Sequence, residues 1–547
     1  MNEPQTAPNN LPLHGRFLAV VEVALIFLLL YIFAGSPPPG DDEPHYLGKA
    51  KQYWNPDWLA GDFFLETPDA HVVFNWTIGW LTLFFSLTAT AWMGRCAAWL
   101  LLAIAWRRLS WALLPQAFAS LLTMALFLVF QEHGTAAREW IVGGVEAKCF
   151  AYVFVILGLE QLVRGRWFWV WPLLGVGAAF HVLVGGWAVV AALLAWAATK
   201  DRAPLISMLP SLLFSGVLSL PGLLPGLMLS WNADPATIAQ ANQIYVFDRL
   251  SHHLLFYDFP LRYKAQFLAV LAAWLGVCYL TRKDESRLPL RRFVLGSIVI
   301  GVAGIVVDQV TMHRPELAAS LLRFYWYRLP DMMVPLGLAF ALVHWGMSGT
   351  ALAAGVLPNA TNRRLAPTRS MVSNAILPLL ILFPMVVLGW GFAQQSADRR
   401  RTADIQARIC PHDPTEYHDW RNTCAWIEAH TEPGERFMIP PNISSFRWYA
   451  ERSEVVSAKD IPQNAEGIVE WSERLRRVRR WYGSLADEGW DAERNLELRT
   501  MASSEEYDFH YLIINRRYGK QQLPLPMVYA SSEEDPAFVV CRVPPGE

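Results

Sequence analysis

Long apolar runs alternate with short polar segments through residues 1–396 of the chain. Each run approaches the ~20 residues that an α-helix needs to cross the hydrocarbon core of a bilayer. The runs begin near Phe17, Met93, Leu113, Gly144, Trp167, Val182, Leu205, Phe267, Phe293, Met332 and Ile376. This pattern predicts a polytopic α-helical membrane protein with about eleven spans.

The positive charges of this region are concentrated in every second short connection. They are Arg107, Arg108, Arg164, Arg166, Lys200, Arg202, Arg282, Lys283, Arg291, Arg292, Arg363, Arg364 and Arg369. With a cytoplasmic N-terminus all of these residues fall inside, as the positive-inside rule requires. We therefore expect the first loop, GDDEPHYL from Gly40, and the segment after about residue 395 to lie on the outer face. The first run is interpreted as a retained anchor.

One further apolar segment, from His71 to Leu87, could be a span or an interfacial helix. A span here would reverse the side on which every later basic connection lies. The charge pattern therefore favours an interfacial helix.

The remainder of the chain, residues 397–547, has no run of spanning length. Short β-rich stretches begin at Arg436, Glu454, Tyr511, Met527 and Phe538. They alternate with helical patterns at Asp419 to Ala429 and Ile468 to Leu485. This alternation predicts a small extramembrane α/β domain on the outer, periplasmic or lumenal, side.

Two of the six cysteines, Cys410 and Cys424, fall in this predicted domain. They could pair in an oxidising compartment or remain two thiols, and the spacing leaves both alternatives open.

Composition agrees with a membrane protein. The 547 residues are 53% hydrophobic and include 25 Trp, the mean hydropathy is +0.23, and only 17% are charged. The formal net charge of −2 carries no signature of nucleic-acid binding.

Three adjacent acids, Asp41, Asp42 and Glu43, follow the first span. They could simply mark the polar end of that span. An aromatic-rich stretch that is typical of an interfacial helix follows them and would hold them at a fixed depth. Carboxylates fixed beside a membrane suit a general base or a cation site.

The first outer loop resembles that of the C-type (GT-C) membrane glycosyltransferases. The resemblance rests on Asp42-Glu43, His45-Tyr46 and the later Gly61-Asp62-Phe63-Phe64. Protein O-mannosyltransferases and lipid A aminoarabinose transferases share an acidic pair in this loop, and oligosaccharyltransferase catalytic subunits share an outer C-terminal domain. The resemblance implies that Asp42 is the catalytic base, with Glu43 its neighbour. Asp41 is additional, so the choice between Asp41 and Asp42 stays open.

The resemblance also implies a second acidic group, and the residue types near the predicted membrane surface suggest a donor site. Glu146 occupies the place of the acid that helps bind a divalent metal, Mg or Mn, in oligosaccharyltransferases. Mannosyltransferases, which the first loop resembles equally, do not depend on a metal. The use of a metal by this chain therefore stays open. Arg323, Arg328, His181 and Lys148 are assigned to the lipid-phosphate donor, because guanidinium groups pair with phosphate in two-point contacts. The alternatives are aromatic-belt anchoring of Arg323 and Arg328 and simple packing of His181. For Arg138, Glu139, Glu146 and Lys148 the alternative is that they are charged anchors at the mouth of a span.

The resemblance thus implies an inverting glycosyltransferase that moves a sugar from a polyprenyl-phosphate-linked donor to an unidentified acceptor. We expect it to be an integral protein of a bacterial inner membrane, acting on the outer face. A transporter would instead carry charges in the middle of its spans, where few are found. A non-catalytic relative of the same architecture is the other alternative.

Overall fold

The computed structural model describes residues 13–353, 414–487, 490–516 and 524–544, with scattered positions between 378 and 393. The first part is almost entirely helical. Its helices are α1 Leu13–Ala34, α2 Glu43–Trp54, α3 Phe63–Glu66, α4 Val72–Thr77, α5 Leu87–Leu113, α6 Ala119–His133, α7 Ala147–Val163, α8 Trp167–Phe180, α9 Val182–Ala197, α10 Leu205–Met228, α11 Pro235–Gln243, α12 Ser251–Leu254, α13 Leu261–Leu280, α14 Leu288–Thr311, α15 Pro315–Leu322 and α16 Arg328–Ala353.

Six helices of the described part are long and apolar enough to cross a membrane. They are Gly15–Ala34, Leu87–Leu113, Leu205–Met228, Leu261–Leu280, Glu285–Thr311 and Arg328–Met347. Shorter apolar helices occupy Ala119–His133, Trp167–Phe180 and Val182–Ala197. The prediction of a polytopic helical protein is confirmed. The count of about eleven spans stays a prediction, and the run from about Ile376 lies largely outside the described residues.

The segment from His71 to Leu87 does not form a long helix. It is divided between α4 and a 3₁₀ turn, Gly79–Leu83. Trp76, Trp80 and Phe84 are about half exposed on this short structure. Such geometry agrees with an interfacial segment, because two short helical pieces cannot cross a bilayer core.

The second part contains a five-stranded sheet and four helices. The strands are β1 Arg436–Met438, β2 Ser453–Glu454, β3 Tyr511–Asn515, β4 Met527–Ala530 and β5 Phe538–Arg542, and the helices are α17 Pro414–His430, α18 Phe446–Ala450, α19 Ala465–Asp487 and α20 Ala492–Ala502. The strand order is β2-β1-β3-β5-β4, with β2, β1 and β3 parallel and β5 antiparallel to both β3 and β4. All five predicted strands and both predicted helices are present. The boundary near residue 397, and Cys410 with its predicted pairing, lie outside the described residues.

The sheet is covered on both faces, as its apolar strands require. Phe437, Ile513 and Val540 point to one face and pack against Trp420 of α17. Residues on the other face pack against α19, together with Ala241 and Ile244 from the loop that follows α10. The α/β domain is therefore joined to the membrane part through a shared apolar core.

A buried ion cluster also attaches this domain to the first loop. Arg447 Nε lies 2.7 Å from Asp62 Oδ2, and its Nη1 lies 2.7 Å from Asp460 Oδ2 and 2.8 Å from Glu454 Oε1. Asp460 Oδ1 in turn lies 3.1 Å from His45 Nδ1. Three carboxyl groups thus surround one guanidinium group, so the cluster is short of positive charge.

The pKa of Glu454 reflects this imbalance. Burial raises it to about 8, Arg447 opposes the rise, and Asp460 and Asp62 add to it. A carboxyl group whose pKa is raised on folding stabilises the folded state fully below its ordinary pKa, and this contribution is lost as pH rises through the raised value. We therefore expect the thermal unfolding midpoint of the purified protein to fall between about pH 5 and about pH 9.

Substitution Glu454→Gln should remove this part of the pH dependence, since the amide does not ionise. Glu451→Gln is the matched control, because Glu451 lies nearby but pairs with Lys51 at 3.0 Å. A Glu454→Gln protein with the wild-type pH profile would contradict the assignment.

Candidate active site

A cavity of about 490 Å³ lies where the membrane helices meet the α/β domain. Six of the residues singled out from the sequence line it: Asp42, Glu146, Lys148, His181, Arg323 and Arg328. They come from the first loop, from the start of α7, from the break between α8 and α9, and from the segment that leads into α16. The fold therefore gathers charged groups that lie almost 300 residues apart in the chain.

Asp42 precedes the first turn of α2 and reaches the cavity with about a quarter of its side chain exposed. Its Oδ1 lies 2.6 Å from Nζ of Lys459, which belongs to the α/β domain. Its carboxyl group is also within hydrogen-bonding reach of Glu146. Two carboxyl groups can share a hydrogen bond only if one of them carries a proton.

The surroundings decide which of the two carries it. Burial opposes ionisation of Asp42, but Lys459, the hydrogen bond with Glu146 and the charge of Lys148 outweigh it and hold the pKa of Asp42 well below its usual range. Burial raises the pKa of Glu146 well above its usual range, and Asp42 adds to this against the opposing charge of Lys148. Asp42 is thus the carboxylate and Glu146 the neutral acid. A pair of acids with separated pKa values is typical of catalytic sites.

A chain of polar and charged contacts runs along the next wall. Lys148 Nζ lies 3.3 Å from Glu146 Oε2 and 3.2 Å from Glu139 Oε1. Glu139 Oε2 lies 2.9 Å from Arg328 Nε. Although burial opposes it, Arg328 and Lys148 lower the pKa of Glu139. Since one carboxylate is shared by two cations, this wall of the cavity is electropositive.

The two predicted arginines differ in their partners. Arg328 donates from Nη1 to Nε2 of His181 at 3.0 Å, so that nitrogen carries no proton, and its guanidinium lies 4.0 Å from the centre of the Tyr325 ring. Arg323 donates to the amide Oδ1 of Asn242 at 2.5 Å. Within the described part of the chain, no carboxylate pairs with Arg323.

Glu43 is placed differently from the expectation that it belongs to the catalytic group. It is fully buried and outside the cavity, and its carboxylate accepts from Arg95 Nε at 2.6 Å and Nη2 at 2.7 Å. It also accepts from the backbone N–H groups of Gly40 at 2.7 Å and Val145 at 2.9 Å. The side chain is thus saturated by the scaffold. Asp41 is exposed and does not line the cavity.

The cavity residues do not fit a divalent metal as they are arranged. Magnesium prefers several oxygen ligands at short distance. Here a lysine lies 2.6 Å from Asp42 and another 3.3 Å from Glu146. No group of three His, Cys, Asp or Glu side chains is arranged to hold a metal within the described residues.

Several lining residues were not assigned to the site from the sequence. Lys459 and Gln463 come from the α/β domain, and Gln463 donates to Asp69 Oδ1 at 3.1 Å. Asp69 also accepts from His71 Nδ1 at 3.0 Å, so the domain and the first loop together orient this histidine. Glu139 was noted only as a charge at the mouth of a span. The polarity of these loop residues was the available sequence signal. Local sequence cannot show that positions about 400 residues apart come into contact.

The loop after α10 lines one side of the cavity. A π-helical turn, Ile244–Arg249, leads into α12. Tyr245, Arg249, His252 and His253 line the cavity, and Tyr245 and Tyr325 approach one another at 3.3 Å between their hydroxyl groups. Such turns are rare and often occur at functional sites.

Comparison with known protein families gives one match inside the α/β domain. Residues 418–478 match a family described as a domain of unknown function (DUF6798). This segment contains Arg447, Lys459, Asp460 and Gln463. Among curated proteins, the lipoprotein signal peptidase of Symbiobacterium thermophilum is 33% identical over 86 residues, which are 14% of this chain and 55% of that protein. The chain thus spans about half the length of this relative.

Solved structures that align with most of the chain do so at low sequence identity and TM-scores below 0.5. ArnT from Cupriavidus metallidurans, bound to undecaprenyl phosphate, matches 98% of this chain and 99% of its own at 13% identity and a TM-score of 0.45. The archaeal oligosaccharyltransferase AglB from Archaeoglobus fulgidus, in complex with an inhibitory peptide and a dolichol-phosphate, matches 94% of this chain and 73% of its own at 12% identity and a TM-score of 0.44. Both classes of protein were named from the sequence as resembling the chain.

Proposed function

We propose that the chain is a membrane glycosyltransferase that moves a sugar from a polyprenyl-phosphate-linked donor to an acceptor on the outer face of a bacterial inner membrane. One observation carries the proposal. A single cavity at the membrane end of the α/β domain holds an ionised carboxylate, Asp42, on one wall and guanidinium and ammonium groups, Arg323, Arg328 and Lys148, on others. A base for the acceptor and cations for a phosphate are the two groups that such a transfer needs.

Arg323 is the better candidate for the donor phosphate. Arg328 already shares the charge of Glu139, whereas Arg323 donates to a neutral amide. A guanidinium group without a carboxylate partner retains its capacity for a two-point contact with phosphate. Lys148 and Arg328 then supply positive charge along the adjoining wall.

The reaction itself can be written as one displacement. The acceptor's nucleophilic atom forms a bond to the anomeric carbon while the bond from that carbon to the phosphate oxygen breaks. The proton of the acceptor passes to Asp42, and the polyprenyl phosphate leaves as an anion held by the cations. A single displacement inverts the configuration at the anomeric carbon.

Lys459 imposes a condition on this step. A general base works best when its pKa lies near the working pH. With Lys459 in contact at 2.6 Å, the pKa of Asp42 is held well below its usual range. Lys459 must therefore move away from Asp42 for efficient proton transfer. The arrangement described above is a resting state of the site.

The lysines also bear on metal use. Lys148 lies beside Glu146 and Lys459 beside Asp42, where a divalent cation bound to these two acids would otherwise lie. We propose that these side chains supply the positive charge and that transfer does not require a metal. Transfer that continues in excess EDTA supports this, and transfer that stops and returns with Mg or Mn contradicts it.

Substitution Asp42→Asn tests the base. We expect transfer to fall by ~10²–10⁴, since general-base help is lost, while stability changes by roughly 1 kcal/mol or less because the ion pair with Lys459 is partly exposed. Transfer is measured with purified protein and labelled polyprenyl-phosphate sugars, and stability by thermal unfolding. Full transfer by Asp42→Asn would remove the carboxylate from the mechanism.

The adjacent substitution Glu43→Gln is the matched control. It should cost roughly 3–5 kcal/mol of stability, because it leaves the buried charge of Arg95 without its partner. Asp42→Asn should thus lower transfer with little change in stability, whereas Glu43→Gln should lower the stability of the protein. A Glu43→Gln protein that is stable but inactive would indicate that Glu43 takes part in catalysis.

Substitution Arg323→Lys tests the donor site. An ammonium group cannot reproduce the two-point contact, and a lost charge-assisted hydrogen bond is worth roughly 1.5–3 kcal/mol. We expect the donor KM to rise about ten- to a hundredfold with little change in acceptor KM. Arg282→Lys, at an exposed arginine that stacks on Tyr279, is the control. A near-wild-type donor KM for Arg323→Lys would favour a simple interfacial anchor.

A further inference from the structure

A second cavity adjoins the first on the side of the α/β domain. It has a volume of about 780 Å³ and lies between the loop after α10 and the helix α19. Four cations line it, Arg249, Lys459, Arg476 and Arg479, against one carboxylate, Asp248. Trp471 and Leu475 add apolar surface. The cavity is thus strongly basic, with an apolar floor.

The cations of α19 are not equivalent. Arg474 pairs with Glu470, Nη2 to Oε1 at 2.5 Å, and Arg477 lies 3.9 Å from Glu497. Arg476 donates only to the backbone oxygen of its own helix at Ser472, 3.3 Å away. In the described ranges, neither Arg476 nor Arg479 pairs with a carboxylate. The two arginines of this group that face the cavity therefore keep their charge unneutralised.

Arg249 approaches this group from the opposite wall. Arg249 and Arg479 line the same cavity, and burial together with the charge of Arg249 lowers the pKa of Arg479. Arg249 donates from Nη2 to the backbone oxygen of Lys459 at 3.3 Å, and its Nε is buried without a hydrogen-bond partner in the described structure. Like charges at close range and an unsatisfied buried donor both cost free energy. A bound anion would relieve the repulsion between the two guanidinium groups.

We propose that this second cavity binds a phosphate group of the acceptor substrate, an inference that rests on the function proposed above. Guanidinium groups match phosphate oxygens in two-point contacts. The aromatic and aliphatic floor suits the rest of a phosphorylated glycan or glycolipid. The acceptor would thus be anionic.

The common wall of the two cavities gives this site a link to the reaction. Arg249 and Lys459 line both cavities. An anion in the second cavity attracts the ammonium group of Lys459, which in the resting state lies 2.6 Å from Asp42. Acceptor binding would therefore draw Lys459 away from Asp42, and the pKa of Asp42 would rise toward its ordinary value. Donor alone would leave Asp42 paired, which protects the donor from hydrolysis.

The site can be tested by binding alone, without transfer. Inorganic pyrophosphate is titrated into the full-length protein in neutral detergent by calorimetry, using the Arg323→Gln background so that the donor site does not contribute. We expect Arg476→Gln and Arg479→Gln to weaken pyrophosphate binding about tenfold each or more. Arg480→Gln is the control, since it removes the same charge from an exposed residue of α19 outside the cavity. It should bind as the parent protein does.

Three results would overturn the inference. They are no pyrophosphate binding by the parent protein, unchanged binding by both cavity variants, or equal weakening by Arg480→Gln. A second arm uses vesicles of phosphatidylcholine with or without phosphatidylglycerol. If the cavity variants lose affinity only for the anionic vesicles, these arginines contact lipid headgroups and the inference also fails.

The two proposals fail separately. If pyrophosphate binding depends on Arg476 and Arg479 but no polyprenyl-phosphate sugar supports transfer, the anion site stands and the proposed reaction is wrong. If transfer occurs but pyrophosphate affinity does not depend on Arg476 and Arg479, the proposed reaction stands and the acceptor inference is wrong.

Discussion

The buried pair of Glu43 and Arg95 is the constraint on which the candidate site depends. Its carboxylate binds the guanidinium group of α5, the backbone of Gly40 in the first loop and the backbone of Val145 before α7. Asp42 is the preceding neighbour of Glu43, and Glu146 is the following neighbour of Val145. One buried side chain outside the cavity thus brings the carboxyl groups of Asp42 and Glu146 together. Gly144 permits this approach, because a Cβ there would lie 3.1 Å from the Glu43 carboxylate.

The α/β domain then completes the site from the other side. The cluster around Arg447 orients the segment that carries Lys459, Asp460 and Gln463. Through these residues the domain contacts Asp42, His45 and Asp69 of the first loop. The domain is therefore part of the cavity wall, and the electrostatic state of Asp42 depends on how it is docked.

Local patterns in the sequence were enough to predict much of this architecture. Apolar length predicts the helices, and β-branched runs such as YLIIN predict the strands, because each depends on neighbours in the chain. The acidic loop and the arginines before α16 could be recognised as unusual charges near a membrane. The different placements of Asp42, which lines the cavity, and Glu43, which is buried against Arg95, could not be predicted, because they depend on which side each side chain faces. Lys459 could not be predicted either, since only the docked domain brings it to Asp42.

The ion pairs that join the two parts have an evolutionary consequence. Lys459, Asp460 and Arg447 lie within one recognisable domain segment, while their partners Asp42, His45 and Asp62 lie about 400 residues earlier. A charge change on one side leaves a buried or half-buried partner without compensation. Among homologous chains, these three pairs of positions should therefore covary. The α/β domain and the first loop would then be inherited as one unit, and exchange of the domain alone between relatives would be rare.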